Sequence, residues 1–214
     1  MSKAIVTFGI GPHEEMLSIA LPSFKAFADL HGYDLLVVDG IEPAKPAAWY
    51  KTIAVLEALK EYEEVLWLGA DLVIVDGRND ITVQDGAWQA MVFHHTGDGE
   101  VPNTEVWYNR REMIPTLQQM WEMSDNPGWA NAPWWEQSAL MYLMGYNQAV
   151  RPTYLDKKTE VYNHTHVLDS NWNVHRWDKP KPKHPLIQHA TMWPDRAAIM
   201  REWADQASEE WMYN

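Results

Sequence analysis

Asp71 follows the apolar run Val65–Leu68 and the small residues Gly69-Ala70, and a second apolar run, Leu72–Val75, comes directly after it. A carboxylate between two buried-looking segments is costly unless it is paired or ligated. It either caps its own turn or offers a hard oxygen to Mg2+ or Mn2+, an ion that bridges phosphate oxygens and offsets leaving-group charge. His189 ends the short apolar segment Leu186–His189; it either packs structurally or presents a neutral imidazole to such an ion. Lys51 is a point charge suited to a phosphate, or a solvated helix lysine. Glu136 and Gln137 open a helical stretch, where a glutamate suits the positive dipole end whether or not it meets a ligand. His94-His95 is not taken as a metal pair, because adjacent side chains on a strand point to opposite faces.

These residues need a scaffold that gathers them. Strands are predicted at Ala4–Phe8, Tyr33–Val38, Val65–Leu68 and, after Asp71, Leu72–Val75. Between them lie helices over Glu14–His31, with a break or a new first turn expected at Pro22, and over Ala47–Tyr62, where Ile53, Leu56, Ala58 and Leu59 recur at helical spacing. The order β-α-β-α-β and the continuous apolar runs IVTF, LLVV and VLWL favour a parallel sheet between helices. Further strands are read at Ala90–Phe93, Val106–Tyr108 and Leu186–His189, and helices at Met113–Met123, Trp134–Met144 and Pro194–Tyr213, with 145–189 irregular. Ligands of an open parallel sheet sit beyond the carboxyl ends of its strands. The Gly9–Pro12 turn, the Gly69-Ala70-Asp71 turn and the His189 strand end are therefore expected to converge. The class is α/β, one domain over 1–214: a nucleotide-binding half over 1–100, a donor and acceptor half over 101–193, and a C-terminal helix over 194–214.

The 214 residues include no cysteine, which excludes thiol catalysis, Fe–S clusters and disulfides. The net charge is −13, and residues 1–110 carry −10 of it. That sign disfavours a broad nucleic-acid surface. Against it, 151–183 holds seven basic and four acidic residues, including Lys179, Lys181 and Lys183 separated by prolines. This arm either folds over a diphosphate or is a charged surface loop. The first residues carry no signal-like apolar segment and no run approaches a membrane span, so a cytoplasmic location is the default expectation. Thirteen tryptophans exceed what a core of this size needs. Trp107, Trp134, Trp135 and Trp172 are candidate flat surfaces for a carbohydrate.

Six segments in order resemble nucleotide-sugar glycosyltransferases of the GT-A fold, most nearly the small retaining galactosyl- and glucosyltransferases. They are Trp49-Tyr50-Lys51-Thr52-Ile53, Glu64 to Asp71, Asn103-Thr104-Glu105-Val106, Trp135 to Leu140, Asp169 to Val174 and Ile187 to Met192. The resemblance implies a single Rossmann-like GT-A domain that moves a hexose from UDP-glucose, UDP-galactose or a similar donor to an acceptor hydroxyl, with retention. By position it implies Asp71 and His189 as ligands of Mn2+ or Mg2+. Lys51 and the loop Phe8, Gly9, Ile10 and Gly11 would face the nucleotide; Ala70, beside Asp71, and Lys183, from the basic arm, are further candidate nucleotide contacts. Asn103, Glu136 and Gln137 would surround the donor sugar, and Glu136, then Glu105, would be the first candidates for a covalent nucleophile.

The chain departs from that pattern at four places, one of them Glu136, which stands where the family has an Asp and is longer by one methylene. Gly69 stands where the family has the first acid of Asp-any-Asp, Glu105 where it has a glycine, and Met192 where it has its closing glycine. These departures leave a non-catalytic nucleotide- or glycan-binding relative as the alternative. A nucleic-acid-base glycosyltransferase and a nicotinamide oxidoreductase stand lower, the latter because the first turn lacks G-x-G-x-x-G.

Overall fold

The computed structural model describes residues 2–42, 44–97, 99–151 and 153–212. The apolar runs at 4–7 and 65–68 form strands buried on both faces, whereas that at 34–37 forms a half-exposed edge strand. β1 (Lys3–Thr7) pairs in parallel with β2 (Asp34–Val37) on one side and β3 (Glu64–Leu68) on the other. The crossovers are α1 (Pro12–His31) and α2 (Trp49–Glu61). β4 (Leu72–Ile74) leaves this sheet after Asp71. The main sheet is completed by β5 (Gln89–Thr96), β6 (Gly99–Arg110) and β7 (Thr165–Leu168) in the order β2-β1-β3-β6-β5-β7. β6 runs antiparallel to both β3 and β5, and β7 runs parallel to β5. The sheet is therefore mixed, parallel where the β-α-β-α-β order predicts it and reversed at the β5–β6 hairpin. β8 (Ile187–His189) pairs antiparallel with β4 in a separate two-stranded sheet.

Alternate residues of one strand serve two cores. Ile5, Leu66 and Leu68 meet Phe24 and Phe27 of α1 and Met200 and Trp203 of the closing helix, on one face. Val6, Val65 and Trp67 meet α2, α3 (Ile114–Met123) and the later helix 135–144 on the other. Short helices α4 (Pro127–Ala130) and α6 (Glu160–Asn163) flank α5 (Trp135–Met144) in sequence. The last helix, α7, is Arg196–Ala207, capped by the Asp195 side chain on the Ala198 N–H at 3.0 Å and followed by a π-helical turn, Ser208–Met212. Among the described residues no helix is long and apolar enough to cross a membrane.

Several sequence expectations are corrected. α1 passes through Pro22 without a break: the proline lies on the exposed face, while Ala20, Ser23, Phe24 and Phe27 pack around it. The proline removes one backbone donor on the exposed face, and burial of the opposite face holds the helix together. The strand expected at Val106–Tyr108 is a twelve-residue strand whose polar first half carries no alternation signal. The region 145–189 contains α6 and β7 as well as irregular chain. Trp107 and Trp172 are core residues rather than open surfaces, Trp134 is half-buried, and Trp135 is exposed.

The backbone is irregular at two kinds of position. The β5–β6 register jumps, with Met91 opposite Trp107 but Val92 opposite Asn103, so Thr104, Glu105 and Val106 bulge from β6. Such bulges re-aim side chains. Trp135 (φ 43°) and Met192 (φ 60°) hold left-handed backbone, which favours glycine. Met192 is 66% exposed, so its side chain contributes little burial against that strain. Met192→Gly is expected to stabilise the fold by about 1 kcal/mol, read as a rise in the urea midpoint with an unchanged slope.

Candidate functional site

The carboxyl ends of β1 and β3 open where β8 ends. The turn after β3 is tied to both neighbours: the Gly69 N–H donates to the Glu105 carbonyl at 2.9 Å, and the Ala190 N–H donates to the Asp71 carbonyl at 2.8 Å. This brings Asp71 and His189 together, with Asp71 Oδ1 3.4 Å from His189 Nε2 and Asp71 Oδ2 3.0 Å from Arg196 Nη1. Arg196, at the start of α7, also lies 3.4 Å from His13 Nε2 on α1. Burial alone would raise the Asp71 carboxyl. His189 and then Arg196 outweigh it and hold the group well below the usual carboxylate range, so Asp71 is anionic. A separation of 3.4 Å is long for a strong hydrogen bond. It is close to the ~3 Å spacing of neighbouring ligands on a divalent ion whose bonds are ~2.1 Å. An anionic oxygen and an imidazole nitrogen facing one gap fit Mn2+ or Mg2+ in kind and spacing.

A second group lies beside it. Lys51, on α2, is fully enclosed: its Nζ is 2.6 Å from Glu105 Oε1, 2.8 Å from Glu136 Oε1 and 3.1 Å from Thr104 Oγ1. An ammonium has three hydrogens, and three partners take them. Burial pulls the lysine down in pKa, and Glu105 and Glu136 together raise it above its ordinary value. For Glu136 burial raises the carboxyl, Lys51 draws it back and Glu105 adds to the rise, leaving it above its ordinary value. One cation between two carboxylates leaves one negative charge in excess, and Glu136, the more buried, carries the strain. The Thr104 hydroxyl donates to Glu136 Oε1 at 2.9 Å, and the Thr104 N–H donates to Gln137 Oε1 at 3.3 Å, so the β6 bulge and the start of α5 are locked together.

Gly69 has a steric reason. A Cβ there would overlap the Glu105 carboxylate and lie 3.5 Å from Asp71 Oδ1. Glu105 thus occupies the space that a side chain at 69 would take, at the strand end that carries Asp71. Its side chain keeps 28% exposure, against 3% for Glu136.

The other sequence-selected residues lie at several depths. Asn103 Oδ1 accepts from the Glu105 N–H and from Asn173 Nδ2, both at 2.9 Å. Phe8 is buried edge-on against Trp67, Ile10 is half-buried, and Ala70 is buried. Gly9 packs where a Cβ would overlap the His13 carbonyl, and Gly11 caps α1 in left-handed backbone, its N–H donating to Glu14 Oε1 at 3.1 Å. Lys183 is exposed on the basic arm.

Sequence reasoning passed over a third group. His94 Nδ1 lies 3.2 Å from Asp178 Oδ1, the His94 and His175 rings stack at 3.6 Å, and the His175 N–H donates to Asp178 Oδ2 at 2.7 Å. His94, His175 and Asp178 bring ligand-type atoms within 4.8 Å of one another, a donor set able to hold a metal ion once one ring turns out of the stack. Burial, then His189 and His94, push the His175 imidazole far below its ordinary pKa, so it is neutral. His94 is buried and His95 exposed, as alternation requires. His94's partners come from residues 175–178, roughly eighty positions away, which no local spacing reveals.

No protein-family model matches the chain, and no curated protein matches it. Solved structures do. The fold is similar to a glycosyltransferase involved in the glycosylation of the major capsid of PBCV-1, at 16% identity and TM-score 0.69, covering 96% of this chain and 99% of that one. It is similar to the glycosyltransferase GlyE of Streptococcus pneumoniae TIGR4, at 14% identity and TM-score 0.61, over 97% of this chain and 63% of that one. The bifunctional glycosyltransferase WbbM is matched at 10% identity and TM-score 0.59, over 95% of this chain and 49% of that one. At these identities the likeness is one of fold: a single α/β domain of GT-A-like architecture, with a mixed central sheet between helices.

Proposed function

We propose that this chain is a nucleotide-sugar glycosyltransferase that moves a hexose from a UDP-linked donor to an acceptor hydroxyl with retention of configuration. The observation that carries the reading is the meeting of Asp71 and His189 across 3.4 Å at the carboxyl end of β3, beside a carboxylate delivered by the β6 bulge. Asp71 and His189 are the residues that would hold Mn2+ or Mg2+. Bound there, the cation would offset the charge of the departing diphosphate.

The chain's own residues divide the rest of the work. The Phe8–Gly11 loop supplies backbone on the nucleotide side, with Phe8 anchoring it to the core. Asn103 and Gln137 line the donor sugar from the bulge and the α5 start. Lys51 acts on Glu105 and Glu136 rather than on phosphate, since its three hydrogens are engaged. Glu136 is in turn a support for Lys51 and Thr104, which leaves Glu105, the more exposed acid, as the carboxylate facing the sugar. The Lys179–Lys183 arm closes over the diphosphate and excludes water from the activated sugar. Exposed Trp135 offers the acceptor a flat face.

The test is a calorimetric titration of UDP with and without Mn2+, followed by a UDP-hexose turnover screen. Metal-dependent binding near 1 μM, about −8 kcal/mol, with release of UDP from a hexose donor is the expected result. Binding without turnover would favour the non-catalytic relative. No binding under either condition would remove the UDP-hexose assignment.

A further inference from the structure

We infer that His94, His175 and Asp178 form a second metal site, which takes a late transition ion of the Zn2+ class and ties the root of the basic arm to strand β5. The site shares no residue with the Asp71–His189 pair. Only the arm's role over a diphosphate rests on the function proposed above.

Two rings and one carboxylate are gathered from distant parts of the chain. His94 lies on β5, and Asp178, 84 positions on, lies with His175 between the turn Ser170–Trp172 and β8. Their ligand-type atoms all fall within 4.8 Å of one another. Asp178 Oδ1 and His94 Nδ1 are 3.2 Å apart, close to the ~3 Å between neighbouring ligands on an ion whose bonds are ~2.1 Å. Both rings are 5% exposed and the Asp178 side chain 11%, so this is not a meeting of free surface groups.

The protein leaves this buried group unfinished. Each ring engages one nitrogen, His94 Nδ1 with Asp178 and His175 Nε2 with His189 Nδ1 at 2.9 Å. The other two nitrogens, His94 Nε2 and His175 Nδ1, are buried with no hydrogen-bond partner among the described residues. Buried polar atoms are normally satisfied, and bare ones call for a ligand or an explanation. Among the described residues no lysine or arginine pairs with Asp178, which is held by the His94 ring and the His175 N–H. A divalent ion brings both missing elements, a positive charge beside the carboxylate and an acceptor for imidazole lone pairs. The rings stack within 10° of parallel at 3.6 Å. One ion cannot lie in both ring planes, so binding turns one ring out of the stack.

The donor set selects the ion. Two imidazoles and a carboxylate suit Zn2+, Co2+ and Ni2+ better than Mg2+, which favours oxygen ligands. The chain has no cysteine, so a zinc site in it is built from histidine and acid. Asp178 directly precedes Lys179, the first of the three lysines in the arm. An ion joining His175 and Asp178 to β5 therefore fixes the point from which the arm extends, and stabilises the fold because the unfolded chain holds no such site.

The test uses the full-length chain, stripped of metal and carrying Asp71→Asn to disable the other proposed ion site. Co2+ and then Zn2+ are titrated, read by visible absorption and urea unfolding. About one Co2+ per chain is expected, with the intense visible bands of a four- or five-coordinate ion. Zn2+ should displace it and raise the urea midpoint, and Mg2+ should do neither. Adding His94→Gln or Asp178→Asn is expected to abolish the bands. No bands in the Asp71→Asn protein, or bands that persist when either change is added to a protein that still folds, would overturn the site. Should neither added change fold, the anomalous signal of zinc in crystals of the Asp71→Asn protein decides. A peak between His94 and Asp178 supports the site, and a peak elsewhere or none overturns it. Failure of UDP to bind would remove the transferase reading and leave each of these results standing.

Discussion

Asp71→Asn is expected to weaken Mn2+-dependent UDP binding about 100-fold or more, while UDP binding measured in EDTA changes little. The amide keeps the shape of the carboxylate and loses its charge, and charge is what a hard divalent ion takes from an oxygen ligand. The variant should still fold, because Arg196, the permanent cation beside Asp71, has a side chain 37% exposed and can turn to water. Stability against pH gives an independent reading. A carboxyl held below its ordinary pKa contributes stability that is present above the ordinary carboxylate range and lost as pH falls toward the folded value. The wild type should therefore exceed Asp71→Asn in urea midpoint at pH 7, and the gap should begin to close only as pH falls below the ordinary carboxylate range toward the folded value. Equal metal-dependent affinities in the two proteins would remove Asp71 as a ligand. A gap that widened in acid would contradict the charge state assigned to it.

Lys51→Met is expected to cost about 3–5 kcal/mol of stability, more than any other single change at the site. Methionine fills the volume, so the loss is electrostatic: Glu105 and Glu136 would face each other with no cation between them. Glu136 has the harder position, being 3% exposed, and would take up a proton in the variant. The destabilisation should consequently shrink as pH falls, since protonating the two carboxyls removes the repulsion. Adding Glu136→Gln to Lys51→Met should recover a large part of the loss, because only one carboxylate then lacks a partner. Urea unfolding of the single and double variants at pH 5 and pH 8 reads all of this. If Lys51→Met were as stable as the wild type at both values, the buried cluster would not be charged as described.

The parallel β2-β1-β3 core was legible because runs such as Ala4–Phe8 and Val65–Leu68 have one meaning when flanked by amphipathic helices. Strands past Asp71 were harder to read. Gly99–Arg110 begins Gly-Glu-Val-Pro-Asn-Thr-Glu, polar and proline-containing, and residues 99–103 become strand by pairing with β5, β3 joining only from Val106 on, rather than through their own propensity. Asp71 stood out as an expensive charge between buried runs, and it is buried and paired. His189 stood out as the polar end of an apolar segment, and it meets Asp71. A lysine on an amphipathic helix shows its charge but not its partners, so the sequence leaves Lys51 between a phosphate contact and a solvated helix lysine. Those partners, Glu105 and Glu136, lie 54 and 85 positions on. The His94–His175–Asp178 group was invisible for the same reason. Spacing arguments see neighbours in sequence, and its members are joined only by the fold.

The overlap between a side chain at 69 and the Glu105 carboxylate makes these two positions dependent on each other. A side chain at 69 requires the Glu105 carboxylate to turn aside and loosen its hold on Lys51, so the effect of a substitution at one position depends on the residue at the other. A lineage carrying an acid at 69 and glycine at 105 could reach the present pair through an intermediate small at both positions, or through one crowded at both. The first lacks the second carboxylate beside Asp71, and the second crowds two against Lys51. A substitution at 69 is accordingly expected to cost less in a Glu105→Gly background than in this chain, because the overlapping carboxylate is then gone.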